Sequence, residues 1–156
     1  MFDYISGKIA AVTENKVIVD CGGVGFSLTG SAVACAEYSR KAEAKIPVYL
    51  AVREDALELF GFLNEREREL FIKLIGVSGV GAKLAIAILG GMSETRLISA
   101  IVNGDVAALS SIKGVGKKTA ERIALELKGA FDGIVVSTDG LSATALDENA
   151  VLALVG

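Results

Sequence analysis

The 156-residue sequence predicts an α+β protein in which strands and helices are segregated along the chain. A small five-stranded β-barrel domain is expected at residues 1–63 and an all-helical domain at 64–130. Three observations carry this reading. Residues 1–63 break into short runs of Val, Ile, Phe and Tyr separated by turn formers, which is a strand pattern. From Asn64 onward the apolar residues recur at helical spacing. Within the helical part, a stretch from Leu74 to Ile88 recurs from Leu109 to Ile123.

Strands are expected at about 4–12, 16–21, 24–29, 45–53 and 56–62, with Glu14-Asn15 and Gly22-Gly23 as turns. Gly23-Val24-Gly25 lacks a nearby Lys and reads only as part of a β-turn. Residues 31–39 read as a short helix between the third and fourth strands. An OB-like barrel is one architecture with that count. Asn64 is a plausible N-cap with Glu67 at N3, followed by Leu70, Phe71, Leu74 and Ile75 on one face. Further helices are expected at 82–89, 93–103 with Ser93 as cap, 105–111 with Asp105 as cap, and 117–129. Residues 131–146 mix Gly, Ser, Thr and Asp without a basic residue and read as a flexible linker. Residues 147–156 read as the start of a further helix.

Composition narrows the chemistry. The chain has no His, which excludes a Ser/His/Asp triad, a Cys/His dyad and any His-containing metal site. Cys21 and Cys35 form no CxxC and read as two small buried residues in a reduced, cytoplasmic setting. No export signal is visible at the N-terminus. Residues 74–92 carry one charge, Lys83, and could be mistaken for a membrane span; five glycines there argue for a turn between short helices.

The formal charge of −3 argues against a nucleic-acid partner if taken whole. Divided by position it says something else. Residues 1–63 carry six Lys/Arg against eight Asp/Glu, residues 64–130 ten against seven, and residues 131–156 none against four. A basic middle lies between two acidic parts.

The repeat sits in that basic middle. LIGVSGVGAKLAIAI and LSSIKGVGKKTAERI share Leu, Gly-Val-Gly, Lys, Ala and Ile in register, at an offset of 35 residues. In each copy an apolar helix end runs into Gly-Val-Gly and at once into a new helix. The amides that open a helix lack intrahelical partners, and the helix dipole adds positive potential. With Lys83 in one copy and Lys117 and Lys118 in the other, each turn reads as a cradle for a backbone phosphate, indifferent to base sequence. For one copy a solvated tight turn would be the better reading; two copies in register favour phosphate. Nucleotide hydrolysis is weakly supported, because Gly116-Lys117-Lys118-Thr119 lacks the leading Gly of a P-loop and has Lys where Ser/Thr should follow Lys.

These motifs together resemble the bacterial RuvA family of Holliday-junction-binding proteins, over essentially the whole chain. Gly79-Val80-Gly81-Ala82-Lys83 and Gly114-Val115-Gly116-Lys117-Lys118 match its two helix-hairpin-helix motifs, and Val52-Arg53-Glu54-Asp55-Ala56 followed by Leu59-Phe60-Gly61-Phe62 matches its acidic-pin hairpin. The resemblance implies an OB-fold domain that assembles a homotetramer, singly or as two tetramers face to face. It implies DNA contacts through Gly79, Val80, Gly81, Lys83, Gly114, Val115, Gly116, Lys117, Lys118 and Arg122, and a cluster of Glu54 and Asp55 at the crossover of a four-way junction. It further implies a non-catalytic subunit without metal or cofactor, serving recombination, repair and the SOS response. The implied partners are junction DNA, the hexameric ATPase motor RuvB and a junction resolvase, with no membrane. Ala82 stands where the family's first motif often has Pro. The family also continues past the linker into a three-helix motor-binding domain, so 147–156 reads as a truncated start of it. The alternative is a structure-selective nuclease or another helix-hairpin-helix repair factor, which would need acidic metal ligands grouped near the DNA face; Glu54 and Asp55 are the adjacent candidates there, with no third carboxylate evidently beside them.

Overall fold

A computed structural model describes residues 2–131. Five strands, β1 (Tyr4–Val12), β2 (Lys16–Cys21), β3 (Val24–Thr29), β4 (Glu43–Arg53) and β5 (Ala56–Gly61), close into an OB-like barrel in the order β1-β2-β3-β5-β4. Three neighbouring pairs follow from chain order and tight connections. Between β2 and β3 the two turn residues Gly22 and Gly23 have φ of 62° and 98°, and the Asp20 carboxylate accepts from the Gly23 amide at 2.8 Å. Positive φ at both central positions is the hairpin turn whose twist suits the flanking strands. The parallel contact of β3 with β5, at Leu28↔Leu59 and Thr29↔Phe60, needs a crossover. Helix α1 (Ala32–Tyr38) lies in that crossover, N-capped by Ser31, and buries Ala34, Cys35 and Tyr38 against the barrel core.

The second part contains α2 (Glu65–Ile75), α3 (Ala82–Gly91), α4 (Glu94–Val102), α5 (Val106–Ser110), α6 (Lys117–Leu127) and a final 3-10 turn at Lys128–Phe131. Asn64 caps α2 by accepting from the Glu67 amide at 2.9 Å. The Glu67 carboxylate reaches back one residue further than in the usual capping box, to the Leu63 amide at 3.0 Å.

Barrel and helices share apolar contacts. Phe71 of α2 is fully buried, with the rings of Tyr49, Phe60 and Phe62 at 5.4, 5.1 and 5.0 Å. The core that begins at Phe60 and Phe62 in β5 and just beyond it runs on through Leu74, Ile88, Leu97, Ile101, Leu109 and Ile123. Polar ties reinforce the joint. Arg68 donates to the Val48 carbonyl at 3.2 Å and pairs with Asp3, while the Tyr38 hydroxyl donates to the Phe62 carbonyl at 2.7 Å. Burial, with Glu67 and Glu37 adding negative potential, pushes the Tyr38 phenol up to about 12. Burial likewise raises the Glu67 carboxyl above its ordinary range, which the Leu63 amide partly offsets and the Glu94 charge assists.

Three expectations are corrected. Phe131, read as the first linker residue, is buried in the helical core, with the Lys73 ammonium 5.9 Å from its ring centroid. The Gly/Ser/Thr/Asp bias of the segment conceals a single aromatic at its start. Cys21 is only half-buried, its thiol donating to the Ser6 carbonyl at 3.2 Å; Cys35 is buried as expected. The fourth strand begins at Glu43, two residues earlier than its composition suggests. Residues 132–156, which hold the rest of the linker and the last expected helix, lie outside the described residues. No single helix among the described residues is long and apolar enough to cross a membrane, and the apolar stretch 74–92 is divided by the turn between α2 and α3.

Candidate nucleic-acid interface

The two repeats fold into turns of matching hydrogen bonds and backbone angles, the first between α2 and α3 and the second between α5 and α6. In each, the residue three before the central valine accepts that valine's amide: Val80 N to Val77 O and Val115 N to Ile112 O, both 3.0 Å. The first glycine of each triplet is left-handed, Gly79 at φ 88° and Gly114 at φ 93°, a conformation that an L side chain adopts only under strain. The second glycine is extended and N-caps the new helix, Gly81 at φ −90°, ψ 176° and Gly116 at φ −82°, ψ 173°.

The caps separate these two helices from the rest. Helices α1, α2, α4 and α5 each begin with a side-chain oxygen, from Ser31, Asn64, Ser93 and Asp105, accepting a first-turn amide. Helices α3 and α6 have no such cap. The first intrahelical bonds come from Ala85 and Ala120, so the amides of residues 82–84 and 117–119 are left for an outside acceptor. A Cβ built on Gly81 or Gly116 would meet nothing within 4 Å. Neither backbone angle nor internal packing therefore demands glycine at these two places. What a side chain would obstruct there is the approach of an external group to the amides.

Charge surrounds the same turns. Lys83, Lys117 and Lys118 are exposed, and the second turn gains Lys113, also exposed, where the first has Ser78. Lys113 was not among the sequence candidates because it falls outside the shared pattern. Its position directly before Gly114 was the available signal. Arg122 of α6 is exposed too, with its guanidinium beside Gly79 of the first turn. The side chains of the two valines turn inward. Val80 and Val115 are each only 5% exposed, packed in the helical core with their amides already bonded. They anchor the turns, and the glycines and lysines present the surface.

The two hairpins are held close by another small residue. A Cβ on Gly91, at the end of α3, would lie 2.9 Å from Ile112 Cγ2 in the second turn. Real Cβ atoms do not approach that closely, so a larger residue would force the Ile112 side chain or α3 to shift.

Glu54 and Asp55 occupy the tip of the β4–β5 hairpin, beyond the last paired residues Arg53↔Ala56. Both are exposed. Arg53 pairs with Glu58 at 3.6 Å, so these two cancel, and among the described residues Glu54 and Asp55 at the tip have no ion pair. Val52 and Leu57, paired across the stem, are 64% and 71% exposed. The structure places this acidic tip on the barrel, separate in sequence and in element from the two basic turns. Among the described residues, no group of three or more Asp, Glu or Cys is drawn together that could hold a metal ion.

Two family models match: the RuvA N terminal domain over residues 1–61 and the SAM-like helix-hairpin-helix tandem over residues 71–128. The chain is 39% identical over 142 residues to the Holliday junction branch migration complex subunit RuvA of Lactococcus lactis subsp. lactis, covering 91% of this chain and 71% of that protein. The chain belongs to the RuvA family. The family member of the same name from Thermodesulfovibrio yellowstonii is 38% identical over 139 residues, covering 89% of this chain and 73% of that protein. That from Limosilactobacillus fermentum is 44% identical over 128 residues, covering 82% and 64%. The two matched regions correspond to the barrel with its acidic tip and to the helices that carry both glycine turns.

Proposed function

We propose that this chain binds four-way DNA junctions by shape and charge, as the DNA-binding subunit of a branch migration complex. One observation carries the reading: the only two helices among the described residues that begin without a side-chain cap, other than the terminal 3-10 turn, are those opened by Gly-Val-Gly and flanked by exposed lysine. Each offers unpaired amides, the positive end of a helix and a full charge to one backbone phosphate. Because amides and lysines address phosphates and not base edges, binding is independent of sequence.

Selectivity for the junction comes from the barrel. Glu54 and Asp55 carry charge of the same sign as DNA, so they repel continuous duplex and tolerate only a centre where strands diverge. In a homotetramer, singly or paired face to face, the tips of four subunits gather at the crossover while eight glycine turns hold the arms. The chain supplies no catalysis of its own. Force comes from a hexameric ATPase partner of the RuvB kind, with a junction resolvase acting on the same DNA, in cytoplasmic recombination and repair, including the SOS response.

The test is a salt-titrated gel shift comparing a four-way junction with linear duplex of equal length, read with the mass of the complex. Preference for the junction, a steep salt dependence and a mass of four or eight chains support the reading. Equal affinity for both DNAs, or affinity insensitive to salt, would remove it. Magnesium-dependent cleavage of the junction in the same samples would point to a nuclease.

A further inference from the structure

The two hairpins do not carry their charges symmetrically. At the positions flanking the glycines the first copy has Ser78, Ala82 and Lys83, and the second has Lys113, Lys117 and Lys118. Judged by its own segment, the first turn has one cation against three. The fold alters that balance. The guanidinium Nη1 of Arg122, on the second turn of α6, lies 3.5 Å from where a Cβ on Gly79 would stand. Arg122 thus belongs by sequence to the second hairpin and by position to the first. The reciprocal place beside Gly114 is taken by the methyl Cδ1 of Leu84 at 3.3 Å, and the repeat counterpart of Arg122 is Ala87, which has no charge to return.

Arg122 is exposed, and among the described residues it has neither an ion pair nor a hydrogen bond. Nothing within the described chain uses its five donors. A guanidinium lying beside a left-handed glycine at the rim of an amide cradle is near enough to share an oxygen anion with those amides.

Resting on the DNA reading above, we infer that Arg122 acts across the hairpins: it completes the phosphate site of the first turn, together with Lys83 and the amides opening α3, and takes no part in the site of the second turn. The two cradles are consequently one unit. A phosphate at the first turn is gripped by both hairpins at once, so the spacing between the two held phosphates is set by the protein.

Ethylation interference on an immobile four-way junction tests this, because the crossover fixes the register of each phosphate. The full chain is compared with Lys83→Ala, Lys118→Ala and Arg122→Ala. Circular dichroism melting serves as the folding control; Arg122 is exposed and has no hydrogen bond or ion pair among the described residues, so its variant is expected to melt with the parent. Each variant should lower the log–log salt slope by about 0.9. If Arg122→Ala erases interference at the phosphate that Lys83→Ala erases, and leaves that of Lys118→Ala intact, the cross-hairpin assignment stands. If it erases the Lys118 phosphate instead, the assignment is overturned while the DNA reading survives. If the parent shows no phosphate interference at all, the DNA reading fails and this inference with it.

Discussion

Alanine at Gly114 and alanine at Gly116 should have opposite consequences, although the residues are two apart in one turn. Gly114 is left-handed at φ 93°, and a Cβ there would lie 3.3 Å from Leu84 Cδ1. Forcing an L residue into that region costs about 1–3 kcal/mol, offset in part by roughly 0.4–1 kcal/mol from the stiffer unfolded chain. The net loss, up to about 2.6 kcal/mol, should lower Tm by as much as roughly 10 °C in a chain of this size. Gly116 has ordinary extended backbone and open space where a Cβ would stand. Its replacement costs the helix at most about 1 kcal/mol of N-cap preference. Binding is another matter, because the new methyl stands where a phosphate must approach the amides. Loss of one charge-assisted hydrogen bond, about 1.5–3 kcal/mol, weakens junction affinity roughly 10- to 150-fold. Calorimetric melting and a gel shift at fixed salt measure the pair. Wild-type affinity in a well-folded Gly116→Ala protein would refute the argument that open space at this glycine serves a ligand. So would losses of affinity that merely track Tm in both variants.

Other expectations follow from the same geometry. Lys117→Glu with Lys118→Glu should weaken junction and duplex binding together and flatten the salt slope by about 1.8, read from gel shifts between low and moderate salt. Glu54→Ala with Asp55→Ala should leave melting unchanged and reduce the preference for junction over duplex, with affinity for duplex kept or raised; a preference that survives intact would dismiss the repulsive role of the tip. For Glu67, burial places the folded carboxyl pKa above its unfolded value. The folded state therefore binds the proton more tightly, so the stability that protonated Glu67 contributes is fully present below the unfolded carboxylate range and is lost as pH rises through the raised folded pKa. Glu67→Gln keeps an oxygen for the Leu63 amide and should flatten that part of the stability–pH curve, measured by denaturant titration.

Much of the fold was legible because its causes are local. Asn64, Ser93 and Asp105 announce helix starts, since a cap bonds only two or three residues along the chain. Short runs of Val, Ile, Phe and Tyr between turn formers marked all five strands, and the repeat marked both turns. Less legible was anything that depends on which distant residue arrives next to which. The sequence candidates included Val80 and Val115 because they sit inside the motif; only packing shows that their side chains are withdrawn into the core. Phe131 was hidden by the polar company it keeps. The acidic tip was recognisable from its family likeness, but its isolation follows from the Arg53–Glu58 pair across the strands.

The sequence by itself determined the order of elements, the two Gly-Val-Gly turns and the basic middle of an otherwise acidic chain, because periodicity, capping and charge are properties of neighbouring residues. Tertiary structure alone decided that β3 lies parallel to β5, that one shared core runs from the barrel into the helices through Phe71, and that Gly81 and Gly116 face open space. It also decided that the guanidinium of Arg122, on α6, lies beside Gly79 of the other hairpin. The physical reason is the same in each case: these contacts join residues far apart along the chain, and their free energy exists only once the intervening loops have closed.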